Sequence, residues 1–218
     1  AEAFYFFIVK PNSVINVINW NMDLIKLSSS QISNTISDEK QINLFITGVG
    51  NVGEEFLKQI LKQKKPLKAK LNLRIKIIGI SNSTKMIFNK NGINLELWKS
   101  KLNDGVKANE LLFKKTAKKL NLINCVFVDN TASEEISNLY NDYLSQSISV
   151  VTCNKIACSN KLSNYQNLIK LSIRHNCSFL YETNVGAGLP IIDTLKNLIN
   201  SGDKIISIQA VLSGSLNY

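Results

Sequence analysis

The period of the apolar residues changes repeatedly along this chain, and the changes divide it into short strands and longer helices. Ile42 to Thr47 (INLFIT) is an apolar run of strand length. In the residues that follow, NVGEEFLKQILKQ, Val52, Phe56 and Ile60 lie four apart with Leu57 and Leu61 beside them. The first pattern suits a buried strand and the second gives one apolar helix face. Continued along the chain, this reading predicts strand 42–47, helix 51–63, strand 72–80, a helix around 105–121, strand 124–129, helix 133–145, strand 148–152 and helix 163–175. A further strand starts at Ser178 (SFLYE), a helix runs from Leu189 or Pro190 to about Asn200, and KIISIQAVL from Lys204 reads as a last strand. Strands alternating with helices imply an α/β fold with a doubly wound parallel sheet. Before Ile42, an apolar start (Phe4 to Val9) gives way to SSSQISNTISDEK, which has the composition of a linker.

The first strand runs directly into GVGNVG, with glycines at Gly48, Gly50 and Gly53. Between a strand and a helix this is the setting of a dinucleotide fingerprint. Gly48 permits the tight turn, Gly50 lets the backbone approach a pyrophosphate, and Gly53 lets helix and strand pack closely. The next strand ends in Ser81, Asn82, Ser83, Thr84 and Lys85. A carboxylate there would favour NAD; this neutral or basic ending leaves room for a 2′-phosphate, so NADP is tolerated and the choice between NADP and NAD stays open. Ligands gather at the carboxyl ends of parallel strands, which here carry VDNTAS and VTCNK. Thr131 and Ala132 offer a hydroxyl and backbone groups to a nicotinamide ribose, Ser133 caps the next helix, and Lys155 brings an ammonium to the rim of the cleft. His175, at a helix end, reads as a surface residue. The basic stretch KQKKPLKAK, Lys62 to Lys70, reads as an exposed excursion outside the site.

YETNVGAGLP, Tyr181 to Pro190, places one carboxylate before a neutral, glycine-broken backbone. Glu182 and the carbonyls of Val185, Ala187 and Leu189, turned inward by Gly186 and Gly188, are candidate oxygen ligands for Na⁺ or K⁺. A strand-to-helix turn that serves packing alone is the other reading of these glycines.

Composition narrows the class. With 218 residues, 44% of them hydrophobic, the chain can bury a sizeable core. No apolar run reaches membrane-spanning length and the start lacks a secretory pattern, so the expected location is cytoplasmic, with no membrane partner. Cys125, Cys153, Cys158 and Cys177 lack CxxC spacing and are expected to be reduced thiols. A formal charge of +10 comes from lysines that are scattered rather than interleaved with aromatics, which argues against nucleic acid.

Taken in series, GVGNVG, GISNS, VDNTAS, TCNK, YETNVGAGLP and LSGSLNY resemble homoserine dehydrogenase, and more closely the form fused behind an aspartate kinase, over roughly Ile42 to Tyr218. The resemblance implies interconversion of L-homoserine and L-aspartate 4-semialdehyde with NAD(P)(H), on the route to threonine and methionine. It implies cofactor contacts from Gly48, Val49, Gly50, Asn51, Val52, Gly53 and Thr131, a role for Lys155 on the cofactor and substrate side, and a cation held by Glu182, Val185, Ala187 and Leu189. A homo-oligomer, dimer or tetramer, is implied for the full-length protein. Cys153 replaces the family's usual proline and Ile156 a frequent second lysine. The family's substrate-binding acids and its acid–base lysine lie beyond the last motif here. The expected division is therefore an extension at 1–40, a nucleotide-binding domain at 41–178 and the start of an α+β catalytic and dimerisation domain at 179–218; the 218 residues together are expected to bind NADP(H) but to turn over homoserine poorly or not at all. A non-catalytic nucleotide-binding remnant, or another Rossmann dehydrogenase of an aspartate-derived substrate, are the alternatives.

Overall fold

A computed structural model describes residues 40–186 and 188–210. The apolar start, the predicted linker as far as residue 39, Ala187 and the LSGSLNY motif lie outside the described residues. Seven strands form one sheet: β1 (Lys40–Thr47), β2 (Leu73–Ser81), β3 (Lys85–Phe88), β4 (Val106–Lys107), β5 (Cys125–Asp129), β6 (Ser149–Thr152) and β7 (Phe179–Leu180). Their order is β4-β3-β2-β1-β5-β6-β7. Strands β2, β1, β5, β6 and β7 are parallel, whereas β3 is antiparallel to β2 and β4 to β3.

The sheet is thus dominated by parallel pairs, as expected, and two antiparallel strands absent from the sequence reading extend one edge. The cause is local. Asn82 Oδ1 accepts from the Thr84 and Lys85 amides at 2.9 and 2.7 Å and from the Thr84 hydroxyl at 3.1 Å. That tight turn sends the chain straight back as β3, and a connection this short permits only antiparallel pairing.

The helices are α1 (Asn51–Leu71), α2 (Trp98–Asn103), α3 (Glu110–Leu120), α4 (Glu134–Ser137), α5 (Tyr140–Leu144), α6 (Ile156–Ser159), α7 (Leu162–Arg174) and α8 (Ile192–Asn200). Four expectations are corrected. Helix α1 continues past residue 63 through Pro66, so the basic stretch is helix rather than an excursion. Pro66 and Lys62 are both exposed, so water can satisfy the carbonyl that proline leaves without a donor. Beyond Pro66, Leu67 is buried, and the helix ends where Asn72 turns left-handed at φ 48°. The helix expected around 105–121 starts only at Glu110, where Asn109 Oδ1 accepts from the Leu112 amide at 2.7 Å. The helix expected at 133–145 is two pieces, capped at the first by Ser133, and the second buries Tyr140, Tyr143 and Leu144. Residues 204–210 form no strand. Ile206 there is 94% exposed, because apolar alternation makes a strand only where a neighbouring edge completes the ladder.

Alternation along the strands divides the core between the two sheet faces. Leu44 and Ile46 of β1 with Val126 and Val128 of β5 pack against Leu57 and Ile60 of α1. On the other face Phe45 and Phe127 meet Phe113, Tyr140, Tyr143 and Leu168, and the rings of Phe127 and Tyr143 stack with centroids 4.0 Å apart. The β1–β2 register slips once, between Leu44 and Phe45. A Cβ at Gly79, just beyond the slip, would lie 2.8 Å from the ring of Phe88, so the residue must be glycine for that ring to pack.

Candidate functional site

The loops that follow β1, β2, β5 and β6 emerge at the carboxyl end of the parallel strands, where such sheets bind ligands. The first is the glycine loop. Gly48 turns at φ 84°, a region that side chains disfavour, and its amide donates to the Ser81 carbonyl at 3.0 Å. A Cβ at Gly53 would lie 2.0 Å from the Gly48 carbonyl oxygen, whereas one at Gly50 would meet nothing within 4 Å. The loop is closed by glycines inside and open to a ligand outside. Gly50 begins α1 with no side chain capping it, so the first-turn amides of Asn51, Val52 and Gly53 and the positive end of the helix dipole are available to an anion. Val49 packs on the core and Asn51 is exposed. Glu54, the acid in this turn, is neutralised by Lys99 at 2.7 Å and Lys58 at 3.3 Å, and those hydrogen bonds hold its carboxyl below the ordinary range.

At the end of β2, Ser81 is buried and its hydroxyl donates to Thr47 Oγ1 at 3.1 Å, joining the two strand ends. Asn82 forms the turn into β3, and Ser83 is exposed at its tip. The Lys85 ammonium donates to the Gly105 carbonyl at 3.0 Å, so the fold gives it a partner within the protein.

The loops after β5 and β6 are locked together. Asp129, fully buried, accepts from the Thr131 amide at 2.7 Å through Oδ1, and through Oδ2 from Asn154 Nδ2 at 3.1 Å and the Tyr140 hydroxyl. Asn154 Nδ2 also donates to the Ser133 carbonyl at 2.9 Å, and its Oδ1 accepts from the Ile156 amide at 3.1 Å. Thr152 Oγ1 accepts from the Asn154 amide at 2.8 Å and lies 2.7 Å from the Tyr140 oxygen. Burial, with Asp129 alongside, raises the Tyr140 phenol far above its ordinary value, so it remains a donor. Thr131 and Ala132 ride on this frame: the Thr131 hydroxyl accepts from the Ser133 amide at 3.1 Å, and Ala132 is exposed. Lys155 starts α6 and is exposed. Asp129, Tyr140 and Asn154 were missed by the sequence reading, although an acid ending an apolar strand was a signal in VDNTAS.

In the segment after β7, Glu182 begins a 3₁₀ turn (Glu182–Asn184). Its Oε1 and Oε2 accept from the amides of Ile192 and Asp193 at 2.9 and 2.8 Å, so the carboxylate caps α8. Burial, with the Asp193 charge adding to it, raises the Glu182 carboxyl despite these bonds. The Leu189 carbonyl accepts from Ile191 at 2.9 Å, and Val185 is half-buried. The Glu182 oxygens thus each accept one backbone amide at the start of a helix. Among the described residues no group of three or more His, Cys, Asp or Glu gathers as a metal site.

A parallel-dominated sheet whose central strand opens through a glycine loop into an uncapped helix defines a Rossmann-type nucleotide-binding domain. Residues 48–182 match the family described as homoserine dehydrogenase, NAD binding domain. The chain belongs to the homoserine dehydrogenase family. It is 39% identical over 183 residues to the bifunctional aspartokinase/homoserine dehydrogenase of Haemophilus influenzae, covering 84% of this chain and 22% of that protein. It is 38% identical over 181 residues to the homoserine dehydrogenase of Schizosaccharomyces pombe, covering 81% of this chain and 48% of that one. The chain therefore spans about a fifth of the fused relative and about half of the unfused one. Among solved structures, a Candida auris protein of unknown function is similar at TM-score 0.65 and 31% identity, over 82% of this chain and 49% of that one. A hyperthermophilic archaeal homoserine dehydrogenase in complex with NADPH aligns at TM-score 0.60 and 24% identity, over 73% and 50%, and shares the fold. Family membership sets aside the reading as another Rossmann dehydrogenase. Among the described residues no helix is long and apolar enough to cross a membrane.

Proposed function

We propose that this chain is the nucleotide-binding part of a homoserine dehydrogenase that interconverts L-homoserine and L-aspartate 4-semialdehyde with NADP or NAD. The carrying observation is the glycine loop, crowded at Gly48 and Gly53 yet open at Gly50, in front of the uncapped start of α1. The amides of Asn51, Val52 and Gly53 hold the pyrophosphate, Ser81, Asn82 and Ser83 face the adenosine ribose, and Thr131 and Ala132 the nicotinamide ribose. A bound nicotinamide supplies or accepts the hydride. Lys155 steadies charge on the substrate oxygen from the rim of the cleft. The neutral end of β2 favours NADP, although Lys85 is already engaged by Gly105. The division at residue 178 and the assembly into a dimer or tetramer are part of the same proposal. A monovalent cation held by Glu182 with the carbonyls of Val185, Ala187 and Leu189 stays part of the proposal, since each Glu182 oxygen accepts only one amide and keeps a further lone pair.

Titration of the purified chain with NADPH and NADH, followed by nicotinamide fluorescence, tests the reading. Saturable binding of at least one is expected, and binding of neither overturns it.

A further inference from the structure

Thr131 and Lys155, the two candidate contacts on the nicotinamide side, stand on different loops that meet at one buried carboxyl group. Asp129 receives three donors, from the Thr131 amide, the Tyr140 hydroxyl and the Asn154 side chain. Asn154 extends the tie in both directions, to the Ser133 carbonyl in the first loop and the Ile156 amide in the second. The hydrogens are all accounted for. Tyr140 gives its proton to Asp129, and Thr152, whose oxygen accepts from the Asn154 amide at 2.8 Å, gives its own to Tyr140. Asp129 and Thr152, which end β5 and β6, and Asn154 in the loop beyond are 0%, 2% and 2% exposed. A satisfied network in a region of low dielectric specifies one geometry, because each alternative leaves a buried group without its partner. The glycine loop touches the β5 loop, since a Cβ at Gly48 would lie 2.7 Å from the Thr131 side chain, but it shares no hydrogen bond with this network: Gly53 packs on the Gly48 carbonyl and the Gly48 amide is tied to Ser81 of β2.

We propose that Asp129, acting through Asn154, is a positioning residue that sets the nicotinamide half of the site and leaves the adenosine half unaffected. This rests on the nucleotide-binding reading above. Asp129 touches no substrate; it holds Thr131 and Lys155 in register before a ligand arrives. A ligand that reaches the glycine loop but not the loops after β5 and β6 should not sense its loss.

The test compares the full chain with Asp129→Asn and Asn154→Ser. The probes are NADPH and NADH, and their adenosine halves 2′,5′-ADP and ADP. Asp129→Asn is expected to weaken the reduced cofactor about tenfold, as the loss of one hydrogen bond to a charged group would. Adenosine-half affinity should stay within about twofold, and the fluorescence enhancement of the bound nicotinamide should fall. Asn154→Ser should show the same selectivity with a smaller loss, and decides the matter if Asp129→Asn does not fold. Equal weakening of both ligand classes, or no change in either, overturns the proposal. If the unaltered chain binds none of the four probes, the nucleotide-binding reading itself fails instead.

Discussion

Gly53 lies so close to Gly48 that a Cβ on the one would come 2.0 Å from the carbonyl oxygen of the other. This contact lets the start of α1 sit directly beneath the end of β1, and it separates two glycines that look alike in sequence. Gly53→Ala forces backbone apart and should destabilise the chain by about 3 kcal/mol. Gly50→Ala meets nothing and has φ −72°, so it should melt within a degree or two of the unaltered chain while losing most of its nucleotide affinity. Thermal melts beside ligand titrations check the pair; equal loss of stability in both would contradict this account of the loop.

Phe127 is 1% exposed and holds the second face of the sheet together through its stack on Tyr143. Phe127→Ala should cost about 3–5 kcal/mol, the range for a large aromatic ring removed from a core. Urea denaturation would reveal it as a lower midpoint at constant slope.

The four cysteines are free, and burial pushes each thiol up to about 11. At neutral pH they should react slowly with iodoacetamide in the folded chain and quickly in urea. The linkage has a definite sign. A folded thiol titrating above its unfolded value means that the folded state binds more protons, so this contribution is complete below about pH 9 and is lost as pH rises toward 11. Denaturation midpoints across that window should fall; a rise would contradict the burial of these groups.

Glu182 caps α8 through two backbone amides, and α8 has no fully buried residue to hold it otherwise. Glu182→Ala should destabilise the segment by about 1 kcal/mol, the usual value of a lost N-cap. Amide hydrogen exchange should show the loss confined to α8. Protection unchanged in the variant would contradict the capping role.

The central strands were legible because β5, most of β1 and the second half of β2 are buried on both faces and read as short, mainly apolar runs. The glycine loop was legible because backbone geometry itself demands glycine there. β3 and β4 were not: each is too short to show a period, and both exist because the Asn82 turn delivers one beside β2. Lys204 to Ala210 failed for the converse reason, a strand-like pattern with no edge to pair with.

What the amino acids dictate locally is therefore the order of buried strands, the amphipathic faces of α1, α3 and α7, and the places where only glycine can turn. These follow from side-chain size, burial and φ, which act within a few residues. Which polar groups would share a proton was decided by the tertiary fold alone. Asp129 meets Tyr140 and Asn154, and Glu182 meets α8, because parallel strands bring distant loops to one edge, where a buried donor or acceptor must find its partner.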